Sequence, residues 1–243
     1  MKTGIFLSYR GLGANLLHLT YCHQIAKKFG PVSLITLCPN LDKALKDDPA
    51  FSEIICLDKF HKKFFDLFKM SNFLKKFDFE NIFIFYPSLR HYLSSKLAGI
   101  KNIYHYPLFK KKNLHLVKAA KKFTEISLDI ENCPTETKFI INDLKAKQLK
   151  KNSLKKIILG ISSSGPTTKW GYLNYLSLIK KLNDLGDFYF YLLCGPEDQN
   201  EANQIIDQID KKNCESLASK DIAEIIYYIH LSDIFIGNDS FGH

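Results

Sequence analysis

The chain has 243 residues, 46% of them hydrophobic, and a formal net charge of +9. That length and apolar content suffice for a sizeable buried core, so the chain reads as an ordinary soluble globular protein of one large domain or two modest ones. No stretch approaches the roughly 20 apolar residues of a membrane span, and the apolar run at 4–8 is too short for a signal peptide, so a cytoplasmic location is expected.

Taken in order, short apolar runs at 4–8, 32–37, 54–57 and 81–86 read as buried strands. Between and after them, residues 15–29, 64–77 and 114–128 carry apolar side chains at helical spacing, with a further short run at 103–106. Alternation of this kind is what βαβ units in a parallel sheet require. A polar, lysine-rich stretch at 142–156 leads to a second series: strand 157–161, helix 172–185, strand 188–193, helices 199–209 and 221–229, and strand 234–237. The boundary is placed near residue 150, giving domains 1–150 and 151–243. Residues 60–79 are dense in Phe and Lys and read either as a core-facing helix with a lysine-covered outer face or as a helix lying on a membrane surface. The chain ends at Phe241-Gly242-His243, directly after a strand, so the second unit reads as incomplete.

Cys22, Cys38, Cys56, Cys133, Cys194 and Cys214 form no CxxC pair and mostly sit inside apolar runs, which reads as reduced core cysteine rather than a zinc site or a disulfide framework. Charge is unevenly spread: residues 1–150 carry 25 Lys and Arg against 13 Asp and Glu, a balance of +12, while residues 151–243 stand at −3. A basic first half suits an anionic membrane, a phosphorylated glycolipid or a nucleic acid. Only Arg10 and Arg90 are arginine, and phosphate and base-edge recognition lean on the bidentate guanidinium fork, which argues against a nucleic-acid partner.

Two Rossmann-like units leave a cleft between them, with ligands expected beyond the carboxyl ends of the strands. The loop Ser162-Ser163-Ser164-Gly165-Pro166-Thr167-Thr168-Lys169-Trp170 opens a helix. Hydroxyls, backbone N–H groups and a lysine there suit a diphosphate; the competing reading is a capped turn with a buried tryptophan. The strand ending Gly237-Asn238-Asp239-Ser240 delivers polar groups to the ligand edge of its sheet, where Asp239 either contacts a ligand or caps the next helix.

Residues 160–170, the run Leu192-Leu193-Cys194-Gly195-Pro196-Glu197 and the run Gly237-Asn238-Asp239-Ser240 together resemble the donor-binding half of the bacterial heptosyltransferases, glycosyltransferase family 9. Arg10-Gly11-Leu12-Gly13 and the helix after it resemble the acceptor-side opening of that family. The resemblance implies an α/β fold of GT-B type, with two facing Rossmann-like domains. It also implies an inverting mechanism without metal or cofactor, an ADP-heptose-like donor, and a lipopolysaccharide-core or other glycan acceptor at the inner face of the cytoplasmic membrane. By the same resemblance, Ser163 and Ser164 contact donor phosphates, with Lys169 supplying nearby charge and Thr168 standing where the family lysine usually does. Glu197 is placed for the ribose, and Asp239 and Ser240 for the sugar diphosphate. Such groups would stabilise charge on the departing diphosphate in place of a divalent ion.

Three positions depart from the family pattern. The lysine comes one residue late, the expected histidine falls just past His243, and the aspartate taken as general base is replaced by Ala14. His18 shares a helix face with Ala14 and is the substitute base to consider, with Tyr9 and His23 as weaker ones, although a lone histidine here also reads as structural. A noncatalytic nucleotide-sugar binder is the competing function. A nicotinamide oxidoreductase fits less well, because Gly11-Leu12-Gly13-Ala14-Asn15-Leu16 lacks the third glycine of GxGxxG.

Overall fold

A computed structural model describes residues 2–57, 66–107, 115–149, 153–163 and 166–238. The chain forms two compact units, Met1–Ile140 and Ile141–His243.

In the first unit the elements run β1 (Thr3–Leu7), α1 (Leu12–Leu16), α2 (Leu19–Phe29), β2 (Val32–Thr36), α3 (Leu41–Ala44), β3 (Phe51–Cys56), α4 (Asp66–Lys75), β4 (Asn81–Ile84), α5 (Leu89–Leu97), β5 (Asn102–His105) and α6 (Leu116–Leu128). The five strands pair in parallel in the order β3-β2-β1-β4-β5. Every residue of β1, β2 and β4 is buried, as a parallel sheet covered on both faces demands. Alternate side chains serve opposite layers. Ile5, Leu7, Leu34 and Phe83 pack with Tyr21 and Ile25 of α2 and Phe123 of α6, whereas Phe6, Ile35, Ile82 and Ile84 pack with Met70 and Leu74 of α4. Gly30, at φ 82, ends α2 in the left-handed region that glycine enters without steric cost.

The second unit runs α7 (Asp143–Leu149), β6 (Lys155–Gly160), α8 (Tyr172–Asn183), β7 (Phe188–Leu193), α9 (Gln199–Ile206), β8 (Cys214–Ser216), α10 (Ile222–His230) and β9 (Ile234–Gly237). Its parallel sheet has the order β8-β7-β6-β9. Tyr175 and Ile179 of α8 and Ala202 and Ile205 of α9 cover one face; Ile225 and Tyr228 of α10 cover the other, together with Leu149 of α7. The stretch 142–156, read from sequence as a polar connection, therefore contains a helix that packs on α10 within this unit.

In both sheets the chain winds outward from a central strand and then returns to that strand's other side, to β4 beside β1 and to β9 beside β6. Ligands of open α/β sheets bind at the carboxyl ends of strands flanking such a reversal. No helix among the described residues is long and apolar enough to cross a membrane. All six cysteines are free, and all but Cys56 are buried.

Candidate donor site and acceptor-side loop

At the reversal of the second sheet, β6 and β9 approach closely because Gly160 and Gly237 are partners in register. Asn238 follows at the end of β9, 8% exposed, and uses its whole amide. Its Nδ2 donates to the carbonyls of Ile161 at 3.0 Å and Ser162 at 3.4 Å, and its Oδ1 accepts the Trp170 N–H at 3.1 Å. The loop leaving β6 is thus pinned at both ends by one side chain.

A second clasp lies on the β7 side. Asp198, 6% exposed in the 3-10 turn Pro196–Asp198, accepts from Ser162 Oγ at 2.5 Å through Oδ2 and from Lys169 Nζ at 2.5 Å through Oδ1. Ser162 Oγ accepts the Gly195 N–H at 3.1 Å, and Lys169 also reaches Glu201 at 3.3 Å. Burial works against the Asp198 carboxylate, but hydrogen bonds from Lys169 and Ser162 and the lysine charge outweigh it, holding its pKa below the ordinary carboxylate value. The hydrogen bond to Asp198 likewise raises the Lys169 pKa, against a smaller desolvation effect.

Of the donor residues named from sequence, the structure brings Ser163 and Thr168 together by a hydroxyl–hydroxyl hydrogen bond within this loop. Lys169 lies at its end, in the ion pairs just described. Glu197 is exposed on the neighbouring turn, its carboxylate folded against Gly195. Ser164, Asp239 and Ser240 lie outside the described residues. Trp170 is 49% exposed rather than buried, its ring edge-on to Tyr175 at 5.0 Å. Sequence reasoning passed over Asp198 and Ser162. Only partners distant in sequence, Ser162 and Lys169, set Asp198 apart from its acidic neighbour Glu197.

In the first unit, the loop after β1 is held by Asn15, 2% exposed. Its Nδ2 donates to the carbonyls of Tyr9 at 3.0 Å and Gly11 at 2.7 Å, and its Oδ1 accepts from Thr36 Oγ1 at 2.9 Å. His18 is fully buried, stacked on Tyr9 with ring centroids 4.8 Å apart and edge-on to Phe85. Its Nδ1 takes the Ala14 carbonyl at 2.7 Å, while its amide bonds Asn15 O instead. This substitution divides the single helix expected over 15–29 into α1 and α2. With Nδ1 donating, Nε2 is left as an acceptor facing the Tyr106 hydroxyl at 3.5 Å. Burial lowers the imidazole pKa, a trend the Ala14 carbonyl only partly offsets. The structure therefore gives His18 the surroundings of a packing residue, and its remaining lone pair faces a phenol rather than solvent. Tyr9 donates to Phe85 O at 3.1 Å, and burial, with a smaller effect of Tyr86, pushes its pKa up to about 12. His23 is tied to Asp48 at 2.7 Å. Among the described residues no group of three or more His, Cys, Asp or Glu is arranged to hold a metal ion.

Comparison with solved structures places these two parallel-sheet units in the GT-B class. The Escherichia coli ADP-heptose lipopolysaccharide heptosyltransferase II matches with a TM-score of 0.71 at 17% identity, over 99% of this chain and 80% of its own. A glycosyl transferase family 9 protein from Veillonella parvula DSM 2008 matches at 0.77 and 13% identity, over 98% and 75%. The E. coli heptosyltransferase WaaC, solved with ADP, matches at 0.74 and 12% identity, over 99% and 82%. No curated protein sequence matches. The family model for glycosyltransferase family 9 (heptosyltransferase) matches residues 94–242, and the chain belongs to that family. It is a glycosyltransferase.

Proposed function

We propose that the chain transfers a heptose or related sugar from an ADP-type nucleotide diphosphate to a lipopolysaccharide-core or other surface-glycan acceptor, with inversion and without a metal ion. The observation that carries this reading is the doubly clasped loop at the β6–β9 reversal, presenting Ser163 and Thr168 where an α/β sheet binds phosphates. The second unit takes the donor: Ser163, Ser164 and Thr168 at the diphosphate, Glu197 at the ribose, and Asp239 and Ser240 at the sugar diphosphate. WaaC has been solved with ADP and with ADP-2-deoxy-2-fluoro heptose, which supports a donor of that chemistry here.

The first unit takes the acceptor at the loop braced by Asn15, and the +12 balance of residues 1–150 suits a phosphorylated acceptor on the inner face of the cytoplasmic membrane. Preorganised hydroxyl and backbone donors stabilise the leaving diphosphate. General-base assistance contributes about 10²–10⁴-fold, so its absence at Ala14 slows transfer without abolishing it. No base role is assigned to His18.

Incubation with ADP-heptose and heptose-deficient lipopolysaccharide core tests the proposal. Release of ADP and a product of inverted anomeric configuration, both in the presence of EDTA, are expected. No ADP release, or release only with added metal, would overturn it.

A further inference from the structure

We infer that Lys169 serves the donor as a positioning residue acting through Asp198, not as a charge placed on the phosphates. The inference rests on the donor reading above and concerns how that loop is built.

Ser162 and Lys169 bound the loop, and they occupy the two oxygens of the same carboxylate, each at 2.5 Å. The ammonium is also engaged by Glu201 at 3.3 Å, so one positive charge stands among two negative ones. An ammonium committed in this way offers a diphosphate little net attraction, because the nearby carboxylates repel the same oxygens it would attract. What the arrangement supplies is geometry. Asp198 is buried with both oxygens used, and breaking a buried, charge-assisted pair is costly. Asn238 fastens the neighbouring positions, Ile161 and Trp170, from the other side. With its two ends fastened before ligand arrives, the loop has less conformational freedom left to lose on binding. In this chain the lysine stands immediately before the tryptophan, and from there its side chain meets Asp198 and Glu201.

Asp198→Asn separates the two roles. It retains the shape and a hydrogen-bonding group but removes the charge that holds Lys169. If Lys169 positions the loop, Asp198→Asn and Lys169→Met each weaken ADP binding on the order of tenfold, the double variant is no weaker than the worse single one, and adenosine affinity is unchanged because it carries no phosphate for the loop to hold. Lys169→Arg, which keeps the ion pair, restores most of the loss. If Lys169 instead contacts phosphate, Asp198→Asn leaves ADP affinity unchanged or tightens it, and that result would overturn the inference. Additive losses would overturn it equally. Thermal unfolding of each variant checks that it is folded, and Asp198→Ser, which also removes the charge, takes its place should Asp198→Asn not fold. Failure of the unaltered chain to bind ADP at all defeats the donor reading and this inference together, whereas binding that is indifferent to Asp198→Asn defeats the inference alone.

Discussion

Gly160 and Gly237 face each other across β6 and β9 so closely that a Cβ on Gly237 would lie 2.8 Å from the Gly160 Cα. The same Cβ would meet the Phe235 ring at 2.7 Å, and the Gly160 backbone on the other side cannot yield cheaply. Gly237→Ala is expected to push the strands apart and cost about 1–3 kcal/mol, as overpacking does. Because Asn238 is the next residue, ADP affinity should fall as well. Denaturant unfolding and ADP titration check the two effects, and an unaltered midpoint would mean that the close approach is not needed.

Asn238→Ala leaves the Trp170 N–H and the Ile161 carbonyl without their partner. Loss of about 1–3 kcal/mol is expected for buried groups left unsatisfied. Trp170 is the only tryptophan in the chain, so its emission reports directly on the loop. A shift in that emission, together with weaker ADP binding, is the expected outcome. Asn238→Asp keeps the acceptor for Trp170 but sets a buried carboxylate oxygen against the Ile161 and Ser162 carbonyls, and should be at least as severe.

His18→Ala should lower stability by roughly 2–4 kcal/mol through loss of packing and of the bond to Ala14. Burial depresses the imidazole pKa in the folded chain. The unfolded chain therefore binds the proton more readily, and the stability due to neutral His18 is present above about pH 6.5 and lost as pH falls towards the folded value. Unfolding midpoints at pH 7.5 and 5 should converge more in the variant than in the unaltered protein. An undiminished midpoint with abolished transfer would instead identify His18 as a catalytic base.

The alternation of strands and helices was legible because buried parallel strands are continuous apolar runs and their helices keep a clear apolar stripe. Where that stripe fails, the elements were missed. In α5 the buried positions include His91, Ser94 and Ser95, which carry no hydrophobic signal, and β8 spans only three residues. The helix α7 was hidden by its lysines. The candidate donor loop stands out in the sequence by its hydroxyls, its lysine and its place after a strand. Its clasp does not, because Asp198 is buried by partners distant in sequence, and no local pattern distinguishes it from exposed Glu197. The burial of His18 was equally invisible, since it follows from Tyr9, Phe85 and Tyr106 meeting it in the folded core.

Ala14 lacks the titratable group that the family pattern places there, and Ala14→Asp should raise the transfer rate between about ten- and a hundredfold, part of the usual contribution of a general base. Donor affinity should be unchanged, because the substitution lies in the first unit and the proposed donor residues lie in the second. Initial rates with saturating ADP-heptose measure this. No gain in rate, with donor binding intact, would show that the loop held by Asn15 does not present position 14 to the acceptor.

Titration of the chain with ADP in EDTA, followed by calorimetry and Trp170 emission, tests most directly whether the second unit holds a nucleoside diphosphate through this loop without metal. Saturable binding that is insensitive to EDTA, accompanied by a change in Trp170 emission and diminished by Asn238→Ala, is the predicted result. Absence of binding, or binding that appears only when a divalent cation is restored, would contradict it.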